Sequence, residues 1–254
     1  MKKPYEGHEI AYRRLRKRGL RSWDERNCAK PPKRSRGLDG GTRELLADVL
    51  SQPWAPKRGK AIELGCGTAP MLRWMCKRGF KGLGVDVSKT AVSMAREQSK
   101  GLDIRFKKAD VCSAAISRPG SFDLAIDGHC LHCIIRPEDR KTFLSNTHRL
   151  LKTGGLFVVL TMCSPVDRKG ISEVVRGQKL VDRVLYAPTD KASEYEGARK
   201  IDGRVYMPTR YVGHWKDILS ELRRARFEPQ LIRFNRGTPR DPFSDLCVGA
   251  LALP

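Results

Sequence analysis

The sequence lacks the hydrophobic segments that would direct it into or across a membrane. No apolar run in its 254 residues approaches the roughly 20 residues that a membrane-spanning helix needs. The N-terminus reads MKKPYEGHEIAYRRLRKRG, with polar and acidic residues in place of the continuous apolar core of a secretory signal. Glu6 and Glu9 also argue against an organelle presequence, because such presequences contain few acidic residues. We therefore expect a cytoplasmic protein.

Acidic residues are scarce relative to basic ones. The chain contains 28 Asp and Glu residues against 50 Lys and Arg residues, which gives a formal net charge of +22. Between Arg13 and Arg36, eleven basic residues are accompanied only by Asp24 and Glu25. This excess exceeds what solubility requires and favours an anionic partner, with RNA as one alternative and a merely solvated basic surface as the other.

The cysteines do not have the pattern of a disulfide framework. A chain of this length can form a sufficient hydrophobic core without disulfides, and several of its cysteines fall inside apolar strand or helix patterns. We therefore expect reduced thiols. The eight residues are Cys28, Cys66, Cys76, Cys112, Cys130, Cys133, Cys163 and Cys247.

The length of the chain and its proline- and glycine-rich breaks predict one domain with an N-terminal arm and an insertion. Residues 1–41 form a basic N-terminal arm, with a short helix around 10–20 and the Pro- and Gly-rich connector KPPKRSRGLDGG. The domain itself covers residues 42–254. Residues 164–208 interrupt its pattern with mixed charge, and we expect a helix around 171–185 there, inside an insertion that forms a cap over the substrate. We find no internal repeat.

Short apolar strands alternate with helices through the domain. The predicted strands cover 60–65, 82–87, 103–110, 122–127 and 156–162, then 230–234 and 246–253. The predicted helices begin at Thr42 and cover 70–78, 88–100 and 137–151, with another near 210–226. This order predicts an α/β, Rossmann-like fold with a mostly parallel seven-stranded sheet and helices on both faces.

A glycine turn lies between the first predicted strand and its helix. The sequence from Glu63 is ELGCGTAP, which places Gly65 and Gly67 at the carboxyl end of a parallel strand. Open α/β sheets bind ligands at that position, because glycines let a nucleoside approach the backbone closely. The pattern G-x-G-x-x-G is absent, which disfavours a nicotinamide dinucleotide.

Carboxylates follow the next three strands. Asp86 ends the second strand about 20 residues after the glycine turn, where a carboxylate can accept hydrogen bonds from both ribose hydroxyls. Asp110 ends the third strand within reach of an adenine amine, and Asp127 ends the fourth beside the glycine turn. The ordered set predicts a nucleoside-containing cofactor at the switch point of the sheet.

These motifs resemble the class I S-adenosylmethionine-dependent methyltransferases over residues 42–254. The matching segments are ELGCGTA, GLGVDVS, KKADV, FDLAIDGHCLHCI and LKTGGLFVV. The resemblance implies S-adenosylmethionine as cofactor and S-adenosylhomocysteine as product. It also implies that the glycine turn packs on the methionine part, that Asp86 binds the ribose and that Asp127 lies near the sulfonium. The implied cofactor-binding set is Glu63, Gly65, Cys66, Gly67, Asp86, Val87, Asp110, Val111 and Asp127.

The run Asp-Gly-His-Cys-Leu-His-Cys after the fourth strand is where an acceptor should meet the methyl group. His129 is the candidate catalytic residue, since an imidazole that titrates near neutrality could remove a proton from the acceptor. The family often carries a Leu-His pair where Leu131 and His132 fall, so we interpret His132 as a structural residue. The spacing of His and Cys matches no standard zinc module, and no metal site is predicted.

The acceptor is the least determined part of the prediction. We expect a small molecule, methylated on O, N or S, with an anionic group that arginines such as Arg204 and Arg210 could hold. The main alternative is an RNA methyltransferase. Cys130 and Cys163 partly match the cysteines of cytosine-C5 enzymes, although His129 replaces the expected proline. A non-catalytic cofactor-binding protein is the remaining alternative.

Overall fold

The computed structural model describes residues 1–23, 25, 40–113, 116–175, 177–190, 194–236 and 243–254. The α-helices in these ranges are α1 (His8–Lys17), α2 (Gly40–Ser51), α3 (Pro70–Cys76), α4 (Lys89–Gln98), α5 (Pro137–Leu150) and α6 (Trp215–Arg224), with 3₁₀ turns at Pro4–Gly7 and Leu131–Cys133. A seven-stranded sheet contains β1 (Gly59–Leu64), β2 (Phe80–Asp86), β3 (Ile104–Lys108), β4 (Phe122–Gly128), β5 (Leu151–Cys163), β11 (Phe227–Asn235) and β12 (Ser244–Ala252). A five-stranded sheet contains β6 (Ser172–Val175), β7 (Gln178–Val181), β8 (Val184–Pro188), β9 (Arg199–Ile201) and β10 (Arg204–Tyr211).

The strand order of the main sheet creates a binding crevice. The order is β11-β12-β5-β4-β1-β2-β3. The neighbours from β5 through β4, β1 and β2 to β3 pair in parallel, whereas β12 runs antiparallel to both β5 and β11. The chain moves outward from β1 to β3 and then returns to β4 on the other side of β1. The order therefore reverses between β1 and β4, which is where open α/β sheets form their crevice.

The core consists of two layers of apolar side chains, one on each face of this sheet. Alternate residues of β5 enter different layers: Phe157 and Val159 belong to one, and Leu156 and Val158 to the other. Helices α5 and α6 cover the first layer, and helices α2, α3 and α4 cover the second. Strands buried on both faces explain the nearly continuous apolar runs in the sequence. The predicted fold class is confirmed.

The predicted element boundaries agree with the structure within a few residues through the parallel part. The helix predicted from Ser88 begins at Lys89, and the Ser88 hydroxyl caps it by accepting the Ala91 N–H at 3.0 Å. The strand predicted over 156–162 begins earlier, at Leu151, so the glycine pair at 154–155 lies inside β5. The register with β4 shifts there, so the pair forms an irregularity in the strand.

The predicted helix around residues 171–185 is wrong. This stretch forms β6, β7 and β8, which pair as antiparallel hairpins. Its apolar residues follow the period of a strand, since Val174 is exposed while Val175 is buried. Asp182 and Arg183, between β7 and β8, both have a positive φ, of 48° and 68°, as a tight two-residue hairpin turn requires. The insertion is therefore a second sheet.

The N-terminal arm packs against the domain. Tyr12 and Leu15 of α1 form a small apolar cluster with Ala91 and Met94 of α4. At the other end of the arm, the Lys2 N–H donates to the Glu194 carbonyl at 2.7 Å, which ties the arm to the smaller sheet. The basic residues of the arm from Arg26 to Arg36 lie outside the described residues, and the predicted domain boundary at residue 41 stays a prediction.

Within the described ranges, no helix is both long and apolar enough to cross a membrane. The cysteines in these ranges form no disulfides, and Cys28 lies outside the described residues.

Candidate functional site

A cavity of about 430 Å³ opens at the carboxyl ends of β1, β2 and β4. Its volume is within the range of small-molecule sites, roughly 300 to 1,000 Å³. The predicted cofactor residues Glu63, Gly65, Cys66, Gly67, Asp86, Val87, Asp110 and Val111 line it, together with the predicted catalytic residue His129. Asp127 is not among the described lining residues. The structure therefore brings most of the predicted site together in one place.

The glycine turn is shaped by close approaches that only glycine permits. Gly65 has φ +66°, and a Cβ there would lie 2.5 Å from the Cys130 sulfur. Gly67 has φ +52°, and a Cβ there would lie 2.2 Å from the Tyr12 hydroxyl of α1. Both positions need a left-handed backbone and a missing side chain. The turn therefore touches the strand-end loop on one side and the N-terminal arm on the other.

Asp86 ends β2, beside the glycine turn that follows β1. Its two carboxylate oxygens accept the Gly67 N–H and the Ser88 N–H, each at 2.8 Å. Burial raises its pKa to about 6, although these two hydrogen bonds act in the opposite direction. Each oxygen keeps a further lone pair for a ligand hydroxyl. The carboxylate thus fixes the glycine turn and still faces the cavity.

Asp110 and the N-terminal arm meet at the next strand end. One Asp110 oxygen accepts the Cys112 N–H at 2.8 Å, and the Tyr5 hydroxyl donates to the carboxylate at 3.0 Å. Val87 and Val111 provide apolar cavity walls beside it. A flat base could lie between these walls with its amine directed at Asp110, provided that Tyr5 shares or releases the carboxylate.

Asp127 is placed differently from the other strand-end carboxylates. It is completely buried, and it accepts the Cys130 N–H at 2.7 Å and the Leu131 N–H at 3.1 Å. Burial raises its pKa to about 7. The carboxylate therefore holds the turn that carries His129. Its direct role toward a cofactor stays a prediction.

Glu63 is buried under the glycine turn. It accepts the Leu72 N–H at 3.0 Å, at the start of α3. Burial raises its pKa to about 8; the Leu72 hydrogen bond and Arg73 lower it, while Asp86 and Asp127 raise it further. The cavity floor thus contains a carboxyl group that is costly to ionise without a nearby cation.

We expect the change Glu63→Gln to stabilise the ligand-free protein at alkaline pH. A glutamate in the unfolded chain ionises near pH 4.3, whereas folded Glu63 ionises near 8, so the folded state holds the extra proton between these values. Stability conferred by the parent side chain therefore falls as pH rises from about 4 to 8. Glutamine keeps the hydrogen-bond acceptor and removes this dependence.

The measurement is thermal unfolding of parent and variant between pH 5 and pH 9. At pH 9, the gain in the free energy of unfolding is at most about 1.4 kcal/mol for each unit by which folding raises the pKa of Glu63. Glu97→Gln is the matched control, because Glu97 is exposed and should leave the pH dependence unchanged. An equal loss of stability with pH in parent and Glu63→Gln would contradict the assignment.

The two histidines of the strand-end turn have different environments. His132 is buried, and its Nδ1 accepts the Met162 N–H at 3.1 Å. Burial, assisted by Arg210, holds its pKa well below its usual range. His129 is exposed at the cavity wall with φ +68°, and its ring centroid lies 5.7 Å from that of His132. His132 thus accepts a backbone hydrogen bond inside the fold, and the catalytic role of His129 stays a prediction.

The cysteines of this region are not arranged as a nucleophilic pair. Cys130 lines the cavity, whereas Cys163 is buried and lies outside its described lining. Burial raises the pKa of both thiols, so neither is a thiolate at neutral pH. Among the described residues, no group of three or more His, Cys, Asp or Glu side chains is placed to hold a metal ion.

The N-terminal arm contributes side chains to the cavity. Tyr5, His8 and Tyr12 line it beside Trp23, and none of the first three was singled out from the sequence. Glu9 helps to hold the arm in place, because it accepts the Ser88 hydroxyl at 2.7 Å and the Thr90 hydroxyl at 2.7 Å. One of the two acidic residues that argue against a presequence therefore attaches the arm to the domain.

The fold and the motifs match known methyltransferases. Residues 62–159 match the family model of a methyltransferase domain. A ubiquinone biosynthesis O-methyltransferase of Methylococcus capsulatus is 28% identical over 105 residues, which cover 41% of this chain and 43% of that protein. The chain thus spans less than half the length of this curated relative. The resemblance to the class I family is confirmed for this core region.

Solved structures extend the likeness of the fold beyond the core. An S-adenosylmethionine-dependent methyltransferase of Methanosarcina mazei has a TM-score of 0.60 at 16% identity, and the match covers 85% of this chain and 98% of that one. A 1,6-didemethyltoxoflavin-N1-methyltransferase of Burkholderia thailandensis has a TM-score of 0.59 at 17% identity, covering 100% of this chain and 92% of that one. That structure contains 1,6-didemethyltoxoflavin and S-adenosylhomocysteine.

Proposed function

We propose that this chain, whose residues 62–159 match the family model of a methyltransferase domain, transfers a methyl group from S-adenosylmethionine to a small-molecule acceptor. The observation that carries the proposal is the convergence of Asp86, Asp110 and the glycine turn on one cavity at the switch point of the sheet. Nucleoside ligands bind at that point of an α/β sheet.

The charges in the cavity fit this cofactor. Glu63 and Asp86 line the cavity beside the glycine turn, and burial raises the pKa of each of them, so their ionised forms are costly. A ligand with a sulfonium and an ammonium group would stabilise these ionised forms. The pyrophosphate of a dinucleotide would instead add negative charge beside them. The residues present therefore fit S-adenosylmethionine better than NAD.

The bound cofactor supplies an electrophilic methyl group, and the chain mainly has to orient the two reactants. Asp86 would accept the ribose hydroxyls, Asp110 and Val111 would frame the adenine, and the glycine turn would lie along the methionine part. Tyr5, His8 and Tyr12 of the arm line the same cavity. Alignment of bound reactants can lower a barrier by roughly 7 to 11 kcal/mol, so few additional catalytic groups are required.

A small acceptor suits the shape of the site better than RNA does. The arm, the 131–133 turn and β10 surround the far end of the cavity with Tyr5, His132 and Arg210. The ubiquinone biosynthesis relative is named as an O-methyltransferase and the toxoflavin enzyme as an N1-methyltransferase, so oxygen and nitrogen are both reasonable acceptor atoms here. We extend the proposal to acceptors that react at O, N or S and carry an anionic group. The net charge of +22 is the observation that keeps RNA as a second candidate.

Methyl transfer is tested by incubating the full chain with cofactor that carries a labelled methyl group and a panel of small acids, phenols, amines and thiols. The proposal expects label in at least one acceptor and stoichiometric S-adenosylhomocysteine. A protein that binds the cofactor but labels no member of a broad panel would favour a non-catalytic role. Label in RNA alone, or copurified nucleic acid that is removed by high salt, would favour the second candidate.

We also propose that His129 assists by accepting the proton that leaves the acceptor. A general base typically raises a rate by a factor of roughly 10² to 10⁴. Because His129 is exposed, water can replace part of its function as proton acceptor. We therefore expect His129→Ala to lower turnover by about tenfold to a hundredfold. Affinity for the cofactor should not change. The measurement is turnover at saturating cofactor, once an acceptor is known, with binding of S-adenosylhomocysteine as the control. Unchanged turnover in His129→Ala would show that His129 is not the general base.

A further inference from the structure

The end of the cavity away from the buried carboxylates carries positive charge. Arg210, at the end of β10, lines the cavity together with His8, His132 and Met162. Asp245 also lines the cavity; it pairs in register with Met162 and is exposed to solvent. The cavity is therefore polar along its length, negative beside the glycine turn and positive beside β10.

The guanidinium of Arg210 has no counter-ion in the described part of the chain. Its Nη1 donates to the Thr209 carbonyl at 2.7 Å, and no carboxylate there lies within ion-pair distance of it. The side chain is only half-buried. A guanidinium offers five N–H donors in a fixed fork, so most of its donors are available to a ligand in the cavity. Such a fork is suited to a carboxylate or a phosphate.

Two imidazoles flank this guanidinium and stay uncharged. Burial and the nearby Arg210 lower the pKa of His8 to about 3, and the same causes hold that of His132 well below its usual range. His132 accepts the Met162 N–H at Nδ1, so its neutral ring carries the proton at Nε2 and can donate there. His8 belongs to α1, so the arm itself completes this end of the cavity.

We propose that Arg210, His8 and His132 form the acceptor subsite and that the acceptor is a small organic acid, bound as its anion. Arg210 holds the anionic group, and the two neutral rings offer hydrogen bonds to polar atoms beside it. This inference rests on the proposed function, since it assigns the other end of the cavity to the cofactor. It also explains why a cavity that contains several carboxylates keeps an arginine without a counter-ion among the described residues.

The subsite is tested with a matched pair of probes, 2-hydroxybenzoate and its neutral analogue 2-hydroxybenzamide. Calorimetry first measures the binding of S-adenosylhomocysteine to the full chain, and then the binding of each probe to the saturated protein. We expect the anion to bind at least about tenfold more tightly than the amide, which corresponds to about 1.4 kcal/mol. Equal binding of the two probes, or no binding of either, would overturn the proposal.

Arginine variants separate a charge effect from a structural one. Arg210→Gln should abolish the preference for the anion, and Arg210→Lys should keep part of it because the charge remains. Arg204→Gln is the control: the sequence suggested Arg204 as well as Arg210 for the anionic group, but Arg204 is exposed on the same strand and lies outside the described cavity lining. A preference that survives in Arg210→Gln, or disappears in Arg204→Gln, would refute the assignment. If Arg210→Gln fails to fold, the preference for the anion is compared between Arg210→Lys and the parent, and it should be reduced but not lost in Arg210→Lys.

His8→Ala gives an independent readout of the arm. A neutral imidazole does not distinguish an anion from an amide, so this variant should weaken both probes alike, by about fivefold for one lost hydrogen bond. Unchanged binding of both probes would exclude His8 from the subsite. Because S-adenosylhomocysteine is titrated first, its failure to bind would count against the proposed function. Binding of S-adenosylhomocysteine without any preference between the probes would count against the subsite alone.

Discussion

Asp86→Ala is expected to lower affinity for S-adenosylmethionine by at least about a hundredfold. The parent carboxylate would accept the ribose hydroxyls, and each hydrogen bond to a charged group is worth about 1.5 to 3 kcal/mol. The same carboxylate accepts the N–H groups of Gly67 and Ser88, so the glycine turn also loses its anchor. Calorimetric titration measures the change.

A matched control is available at a neighbouring strand. Asp103 precedes β3 and is exposed, so Asp103→Ala should bind the cofactor as tightly as the parent. Asp86→Asn should fall between the parent and Asp86→Ala, because the amide oxygen can still accept hydrogen bonds but carries no charge. Cofactor binding by Asp86→Ala at parental strength would show that the ribose assignment is wrong.

Glu221→Ala is expected to destabilise the fold by about 3 to 5 kcal/mol. Arg140 of α5 is completely enclosed, and its Nε and Nη2 donate to the Glu221 carboxylate, on α6. Removal of Glu221 leaves a buried cation without its partner, which is the costly way to break a buried ion pair. Denaturant unfolding monitored by circular dichroism measures the loss.

Arg140 also explains why the loss should reach the site. Its Nη1 donates to the Leu131 carbonyl at 2.7 Å and to the Ile134 carbonyl at 3.2 Å, which holds the turn that carries His132. Its guanidinium also lies 4.4 Å from the centre of the Tyr211 ring, next to Arg210. We therefore expect Glu221→Ala to weaken acceptor binding as well as stability.

The control for this prediction is an ion pair at the surface. Arg16 and Glu97 are both about half exposed, and such pairs typically contribute less than about 1 kcal/mol. Glu97→Ala should therefore change unfolding very little. A loss in Glu221→Ala no larger than that in Glu97→Ala would contradict the role given to the Arg140 pair.

The order of strands and helices was predictable because it rests on local signals. The strands of the parallel part are apolar runs bounded by turns, and Ser88 and Pro70 mark helix starts by capping and by a fixed φ. The cofactor residues could be placed because they follow strand ends, and all parallel strands end at the same edge of the sheet. These features depend on sequence spacing and need no knowledge of distant contacts.

The smaller sheet and the arm could not be predicted in the same way. The hairpin turn at Asp182 and Arg183 has positive φ values without glycine or asparagine, so the usual signal for such a turn is absent. His8 and Tyr5 enter the cavity through contacts between distant parts of the chain, such as those of Glu9 with Ser88 and Thr90, which lie about 80 positions away. A strand-end position also did not reveal that the Asp127 side chain points beneath the turn instead of into the cavity.

Calorimetric titration of the full chain with S-adenosylmethionine, beside a parallel titration with NAD, tests the central claim most directly. The account predicts one cofactor molecule per chain with a roughly micromolar dissociation constant and no detectable heat from NAD, because buried carboxylates favour the sulfonium and disfavour a pyrophosphate. Absence of binding by S-adenosylmethionine, or tighter binding of NAD, would contradict it.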